Sequence, residues 1–212
     1  MARIIFDLDG TLIDSVPDIL GIANTLLANE NQPPLTHEQA RDYVGNGASV
    51  FITRMRAERN IPNSEHTRLL ADFIARYDNA VTLTVTYPGV ESALQALKTH
   101  GHSLGICTNK PVQPAHSVLA YLQLDHYFDT VWGGDSLPVH KPDPAPLRAA
   151  FDALPEGIEW YVGDSDVDAE TAQNANVPFV LFTEGYRKRP VDAMPHQLAF
   201  SHYDDLPGLF SG

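Results

Sequence analysis

Ile4-Ile5-Phe6-Asp7-Leu8-Asp9-Gly10-Thr11-Leu12 opens with an apolar, β-rich run that is stopped by a carboxylate and then a glycine. It reads as a buried parallel strand whose C-terminal tip delivers Asp7 and Asp9. Strand tips are where chemistry sits in open α/β sheets. The same grammar recurs at Ser103–Cys107 before Thr108-Asn109, at Thr130–Trp132 before Gly133-Gly134-Asp135, at Trp160-Tyr161-Val162 before Gly163-Asp164, and at Pro178-Phe179-Val180-Leu181-Phe182 before Thr183. Helical patterns lie between these runs. Val90, Ala93, Leu94 and Leu97 fall at i, i+3, i+4, i+7, and Asp143-Pro144 supplies an N-cap and a first-turn proline for a helix through Phe151. Five strands alternating with helices predict an α/β fold with a parallel sheet.

Residues 15–80 break the alternation, with several helical patterns and no convincing strand. Pro17 begins a helix to about Asn29, and Thr36-His37-Glu38-Gln39 has the form of a capping box. Ala48, Phe51, Ile52, Met55 and then Leu70, Phe73, Ile74, Tyr77 repeat the helical spacing. The insertion begins just after the first strand's Asp pair, so it is expected to stand as a lid over the sheet edge that carries the chemistry. The catalytic core is then residues 1–14 and 81–212, and the cap residues 15–80.

The chain has 212 residues, 43% of them hydrophobic, with 16 Pro and 14 Gly spread along its length. That suffices for a core domain with a smaller insertion and argues for order nearly end to end. A net charge of -13 and a pI near 4.9 speak against a nucleic-acid partner, which needs a Lys/Arg surface. A small anion remains a suitable ligand, because a few aimed cations make a pocket locally positive inside an acidic protein. No apolar run approaches the roughly 18 residues that span a bilayer, and the single cysteine, Cys107, makes no intrachain disulfide. A cytoplasmic enzyme without a membrane partner is expected, as monomer or homodimer.

Asp7 and Asp9, two residues apart on an extended segment, point the same way. One can attack a phosphoryl group and the other can protonate the leaving oxygen and later activate water. Gly163-Asp164-Ser165-Asp166-Val167-Asp168 brings three more acids to a second strand tip. So many carboxylates repel one another without a cation, and Mg2+ suits an all-oxygen donor set. Asp164 ranks first as a ligand and Asp168 second; capping explains Asp168 equally well, and Asp166 caps or faces solvent. Thr108-Asn109-Lys110 precedes a helix near Pro111, so that a hydroxyl, an amide and helix N-terminal N–H groups converge where phosphate binds. Lys141, in the stiff stretch His140-Lys141-Pro142-Asp143-Pro144, offers a compact positive charge, although a lysine taken alone is ordinarily just solvated. Cys107 lacks the arginine that a cysteine phosphatase needs six residues later, since position 113 is Gln113; it is expected to be a small buried hydrophobe. The nine histidines show no metal-ligand spacing and are expected at the surface or at caps.

Asp7-x-Asp9-Gly-Thr11, Thr108-Asn109, Lys141-Pro-Asp-Pro and Gly-Asp164-Ser-x-x-Asp168, in this order across essentially the whole chain, resemble the four motifs of the haloacid dehalogenase superfamily of phosphohydrolases. The resemblance implies a Rossmann-like core with a helical cap of the C1 type. It implies Asp7 as nucleophile, Asp9 as acid/base, Thr108 and Lys141 on the phosphoryl group, and Mg2+ held by Asp7, the Asp9 main-chain carbonyl and Asp164. Tyr43-Val44-Gly45-Asn46-Gly47-Ala48, Tyr87-Pro88-Gly89-Val90 and Cys107-Thr108-Asn109-Lys110-Pro111 further resemble bacterial phosphoglycolate phosphatases, as does Trp132-Gly133-Gly134-Asp135 through Pro144. That implies 2-phosphoglycolate as substrate, with Gly45-Asn46-Gly47 either cradling its carboxylate through backbone N–H groups or simply starting a helix. Other small phosphomonoesters, pyrophosphate, a phosphomutase related to β-phosphoglucomutase and a receiver-type signalling module are the alternatives. The inserted cap counts against the last.

Overall fold

The β1 strand (Ala2–Phe6) forms where the apolar run predicts it and buries both faces, Ile4 and Phe6 to one side and Ile5 to the other. The computed structural model describes residues 1–77 and 80–210. After β1 come β2 (Ile13–Asp14), α1 (Val16–Asn29), α2 (His37–Tyr43), α3 (Ala48–Glu58), α4 (His66–Tyr77) and β3 (Val85–Thr86). The chain continues through α5 (Val90–Thr99), β4 (Ser103–Cys107), α6 (Val112–Tyr121), β5 (Thr130–Trp132), α7 (Ala145–Asp152), β6 (Ile158–Gly163), α8 (Asp166–Ala175), β7 (Phe179–Phe182) and β8 (Leu198–Phe200). Six strands make one sheet in the order β5-β4-β1-β6-β7-β8, every neighbouring pair parallel. The fold is α/β, as the alternation predicts.

β1 has β4 on one side and β6 on the other, so the strand order reverses around it. The crevice at such a reversal opens at the C-terminal tips, and Asp7, Thr108 and Asp164 stand just past β1, β4 and β6. Two apolar layers hold the sheet. Ile4, Phe6, Leu94, Leu97, Ile106 and Val162 belong to one, and Ile5, Cys107, Leu147, Phe151, Phe179 and Leu181 to the other. Each large side chain buried this way contributes roughly 1.5–3 kcal/mol.

The four helices α1 to α4 build an apolar cluster of their own from Ile22, Leu26, Phe51, Met55, Leu69 and Phe73. The Phe51 and Phe73 rings lie 5.4 Å apart. β2 and β3 pair antiparallel where the chain leaves and rejoins the sheet. Thr36 accepts from Gln39 N and completes the expected capping box on α2.

Four expectations need correction. A sixth strand, β8, pairs with β7 at the sheet edge; its apolar run is only three residues long and only Phe200 is buried. On α4 the buried face is Leu69, Phe73 and Tyr77, while Ile74 is exposed. The helix after β5 begins one residue late, with Pro144 as N-cap and Pro146 in its first turn, and Asp143 Oδ1 accepts from Ala145 N at 2.8 Å. His102 is buried, not superficial, and its Nδ1 accepts from Ala2 N at 3.0 Å.

Candidate active site

Asp7 extends the β1 ladder by one bond, donating its N–H to Val162 O at 2.8 Å, which aims its side chain from the sheet tip. Gly10 then turns the chain at φ +90°. A Cβ there would meet Asp164 Oδ2 and the Tyr186 ring at 2.6 Å, so only glycine lets the β1 loop close over Asp164. Thr11 Oγ1 donates to Asp164 Oδ1 at 2.7 Å, and Tyr186 N donates to Asp164 Oδ2 at 2.5 Å.

Lys141 is buried and donates to Asp7 Oδ1 at 2.9 Å, Tyr161 O–H at 2.8 Å and Asp168 Oδ1 at 2.7 Å. Three partners for three N–H bonds make it a fixed charge, not a solvated surface lysine. Asp168 also caps α8, with its Oδ2 accepting from Ser165 N at 3.0 Å and Ser165 Oγ at 2.5 Å. Capping and charge anchoring therefore meet in one residue. Asp166 pairs with Arg189 at the surface. The Asn109 amide braces three loops: its Nδ2 donates to Lys141 O at 3.0 Å and Gly45 O at 3.2 Å, and its Oδ1 accepts from Lys141 N at 3.0 Å. The first amide of α6, Val112 N, is taken by Asp135 at 2.7 Å and does not converge on the site as the sequence suggested.

Asp9 lies beside Asp7, with Ser15 Oγ donating to its Oδ1 at 2.5 Å. Lys110, which the sequence reading named without assigning a role, is buried and donates to Asp9 Oδ1 at 3.1 Å and to Tyr77 O–H at 2.7 Å. Nothing local signals this, because Asp9 and Tyr77 are far away in sequence. A cavity of about 30 Å3, room for about two waters, is lined by Asp7, Asp9, Thr108, Asn109 and Lys110 on the sheet side. Ile19, Val44, Ala48, Phe51, Phe73 and Tyr77 line it from the helices, with Gly45 and Gly47 between. Asn46 is half-buried and does not line it.

Burial pushes the Asp7 carboxyl up to about 7; Lys141 offsets part of this, while Asp168 and Asp9 add to it. Burial, then the charges of Asp168 and Asp7, hold Asp164 well above the carboxylate range. Burial also opposes the charge on Asp168, but the Lys141 ammonium outweighs it and lowers that carboxyl. For Lys141 burial is again the opposing effect, and Asp168 and Asp7 overcome it and raise the ammonium. The Cys107 thiol, pushed up to about 12 by burial, is no nucleophile.

Asp7, Asp164 and Asp168 each place a carboxylate oxygen within 4.8 Å of the others, all buried. Formally, the carboxylates of Asp7, Asp9, Asp164 and Asp168 outnumber the ammonium groups of Lys110 and Lys141 by two charges. An all-oxygen donor set with that deficit fits a hard divalent cation. Asp168 accepts four hydrogen bonds, two at each oxygen, against two for Asp164 and one for Asp7 among the described residues, which leaves Asp7 and Asp164 as the freer donors.

The family model described as haloacid dehalogenase-like hydrolase matches residues 4–182. The chain belongs to the haloacid dehalogenase-like hydrolases. It is 47% identical to a phosphoglycolate phosphatase of Cereibacter sphaeroides, over 99% of this chain and 97% of that one. It is 43% identical to a phosphoglycolate phosphatase of Rhodobacter capsulatus, over 99% and 96%. The crystal structure of a protein described as a predicted phosphoglycolate phosphatase from Haemophilus somnus 129pt superimposes with a TM-score of 0.89 at 31% identity, covering 98% of this chain and 96% of that one. As a haloacid dehalogenase-like hydrolase with such relatives, the chain is an enzyme of the phosphatase class.

Proposed function

We propose that the chain hydrolyses 2-phosphoglycolate to glycolate and phosphate through a phosphoryl-aspartate on Asp7. One observation carries the reading: Asp7 and Asp9 stand side by side in a cavity whose helical wall is apolar apart from Tyr77. The Asp7 carboxylate attacks phosphorus, an O–P bond forms, and the bond to the leaving oxygen breaks as Asp9 gives that oxygen its proton. Asp9 then takes a proton from water, whose oxygen attacks phosphorus and frees Asp7 and orthophosphate. Lys141 and the Thr108 hydroxyl stabilise charge on the phosphoryl oxygens. Asp168 positions Lys141. A Mg2+ ion held by Asp7, Asp164 and the Asp9 main-chain carbonyl would supply charge neutralisation at the phosphoryl group.

Residues 15–80 act as a cap on the core formed by 1–14 and 81–212, with β2 and β3 pairing where the core leads into the cap and out of it. Helices of the cap line the cavity beside Asp7 and Asp9, so its movement opens the site to substrate and closes it for chemistry. Apart from the Tyr77 hydroxyl, which Lys110 already engages, the side chains of the helical wall offer no partners for the hydroxyls of a sugar. A two-carbon substrate avoids that cost. Among the described residues no helix is long and apolar enough to cross a membrane, and we place the reaction in the cytoplasm.

Phosphate release with and without Mg2+, across 2-phosphoglycolate, sugar phosphates, nucleotides and pyrophosphate, tests the reading. A Mg2+-dependent preference for 2-phosphoglycolate is expected. Preference for another ester would keep the Asp7 chemistry and overturn the substrate, and no release from any of them would overturn hydrolysis itself.

A further inference from the structure

The phosphoryl end of the substrate and its carboxylate end need separate anchors, because both are anionic and they depart in different products. Lys141 serves the phosphoryl end in the reading above: it is bonded to Asp7, Asp168 and Tyr161 and does not line the cavity. Among the described residues lining the cavity, Lys110 is the one cation. Its stem leaves the β4 tip, and its ammonium is buried with 3% of the side chain exposed. It reaches Asp9 on the sheet side and the Tyr77 hydroxyl of α4 on the other, with the Nζ 4.0 Å from the Tyr77 ring centroid.

We infer that Lys110 Nζ is the anchor for the carboxylate of the substrate and sets the preference for small carboxylate-bearing phosphate esters. The inference rests on the phosphoglycolate reading above. Asp9 protonates the leaving oxygen in that reading, and the carboxylate carbon of 2-phosphoglycolate lies two covalent bonds from that oxygen. A cation already 3.1 Å from Asp9 is therefore within one side-chain adjustment of the carboxylate. No other charged donor lines the cavity among the described residues. The helical wall contributes Ile19, Val44, Ala48, Phe51 and Phe73, and Gly45 already gives its carbonyl to Asn109. A charge-assisted bond made by a buried ammonium is stronger than the same bond in water, and a site built around it rejects an analogue lacking the charge. Tyr77 shares the ammonium, so closing α4 over the sheet and seating the carboxylate engage the same atom.

The test compares kcat/KM for 2-phosphoglycolate with that for 2-phosphoglycolamide, which keeps the leaving oxygen and length but not the charge. In the wild-type enzyme the acid is favoured over the amide. In Lys110→Met that acid-to-amide ratio falls by about 100-fold, largely through KM, and in Lys110→Arg most of the ratio is retained. A wild-type ratio near one sinks the phosphoglycolate reading and the inference together. A high wild-type ratio that Lys110→Met leaves unchanged sinks the inference alone and makes Lys110 a partner of Asp9 only. If Lys110→Met turns over neither ester, calorimetric binding of glycolate decides: affinity weakened tenfold or more against wild type supports the anchor, and unchanged affinity overturns it.

Discussion

Asp7 and Lys141 show how one buried contact carries both stability and chemistry. Asp7→Asn keeps the shape and removes the attacking charge, so kcat is expected to fall by on the order of 10^4-fold or more while circular dichroism and the melting transition stay cooperative. Wild-type-like turnover would refute the nucleophile. Lys141→Ala is a different experiment, because it strands Asp7 and Asp168 in a buried site. Removing one partner of a buried pair costs about 3–5 kcal/mol, which denaturant unfolding reads directly, and an unchanged kcat/KM in the protein that does fold would take Lys141 out of the site. Asp7, Asp9, Thr108 and Asp164 were legible as candidates because each sits at or just past a strand tip that local patterning reveals, and Lys141 because prolines stiffen the loop that carries it. Lys110, Tyr161 and Tyr186 were not. Their roles come from contacts such as Tyr161 O–H donating to Asp168 Oδ1 at 2.7 Å and Tyr186 N on Asp164, which no local pattern encodes.

At the scale of elements, the two capping boxes do different jobs with the same geometry. Thr36 and Gln39 cap α2 at the surface, whereas Ser165 and Asp168 cap α8 inside the site, where the capping carboxylate also holds Lys141. Thr36→Ala is expected to cost about 1 kcal/mol of stability with kcat unchanged. Ser165→Ala should cost a similar amount of stability and lower kcat as well, since Asp168 Oδ2 loses a donor and the anchor of Lys141 loosens. Equal kcat in the two variants would separate the cap from the chemistry. The same scale shows why the sequence reading found five strands and missed others. Interior strands carry continuous apolar runs; of the two three-residue edge strands, β5 is marked by the Gly133-Gly134-Asp135 turn that follows it and β8 by no such turn, and β2 and β3 span two residues each, too short for any periodicity. On α4 the apolar residues 69, 70, 73, 74 and 77 cover more than a narrow stripe, so spacing alone does not say which edge turns inward. The packing against α1 and α3 selects Leu69, Phe73 and Tyr77.

For the molecule as a whole, a sheet edge crowded with carboxylates makes stability depend on pH and on divalent cation together. Asp7 is raised from 3.8 to about 7 in the fold, mainly by burial. A group whose pKa is higher folded than unfolded favours the fold while both states are protonated, and that contribution is lost as pH rises through the folded value. The window therefore opens near pH 4 and closes a little above pH 7, and Asp164, shifted in the same direction, reinforces it. Asp168 works in the opposite sense, being lowered by Lys141 after burial is overcome, and its contribution is lost only in more acidic solution. Between about pH 5 and pH 8 the protein in chelator is thus expected to lose melting temperature steadily. Saturating Mg2+ should restore it most at the upper end, because the ion binds the carboxylates and not the acids and stabilises whatever state holds it. Melting curves at pH 5, 6, 7 and 8, with Mg2+ and with EDTA, check this. Two parallel curves would mean that the Asp7, Asp164 and Asp168 cluster does not take the cation, whereas curves that diverge as pH rises, and a divergence that Asp7→Asn narrows, would tie the binding to these carboxylates.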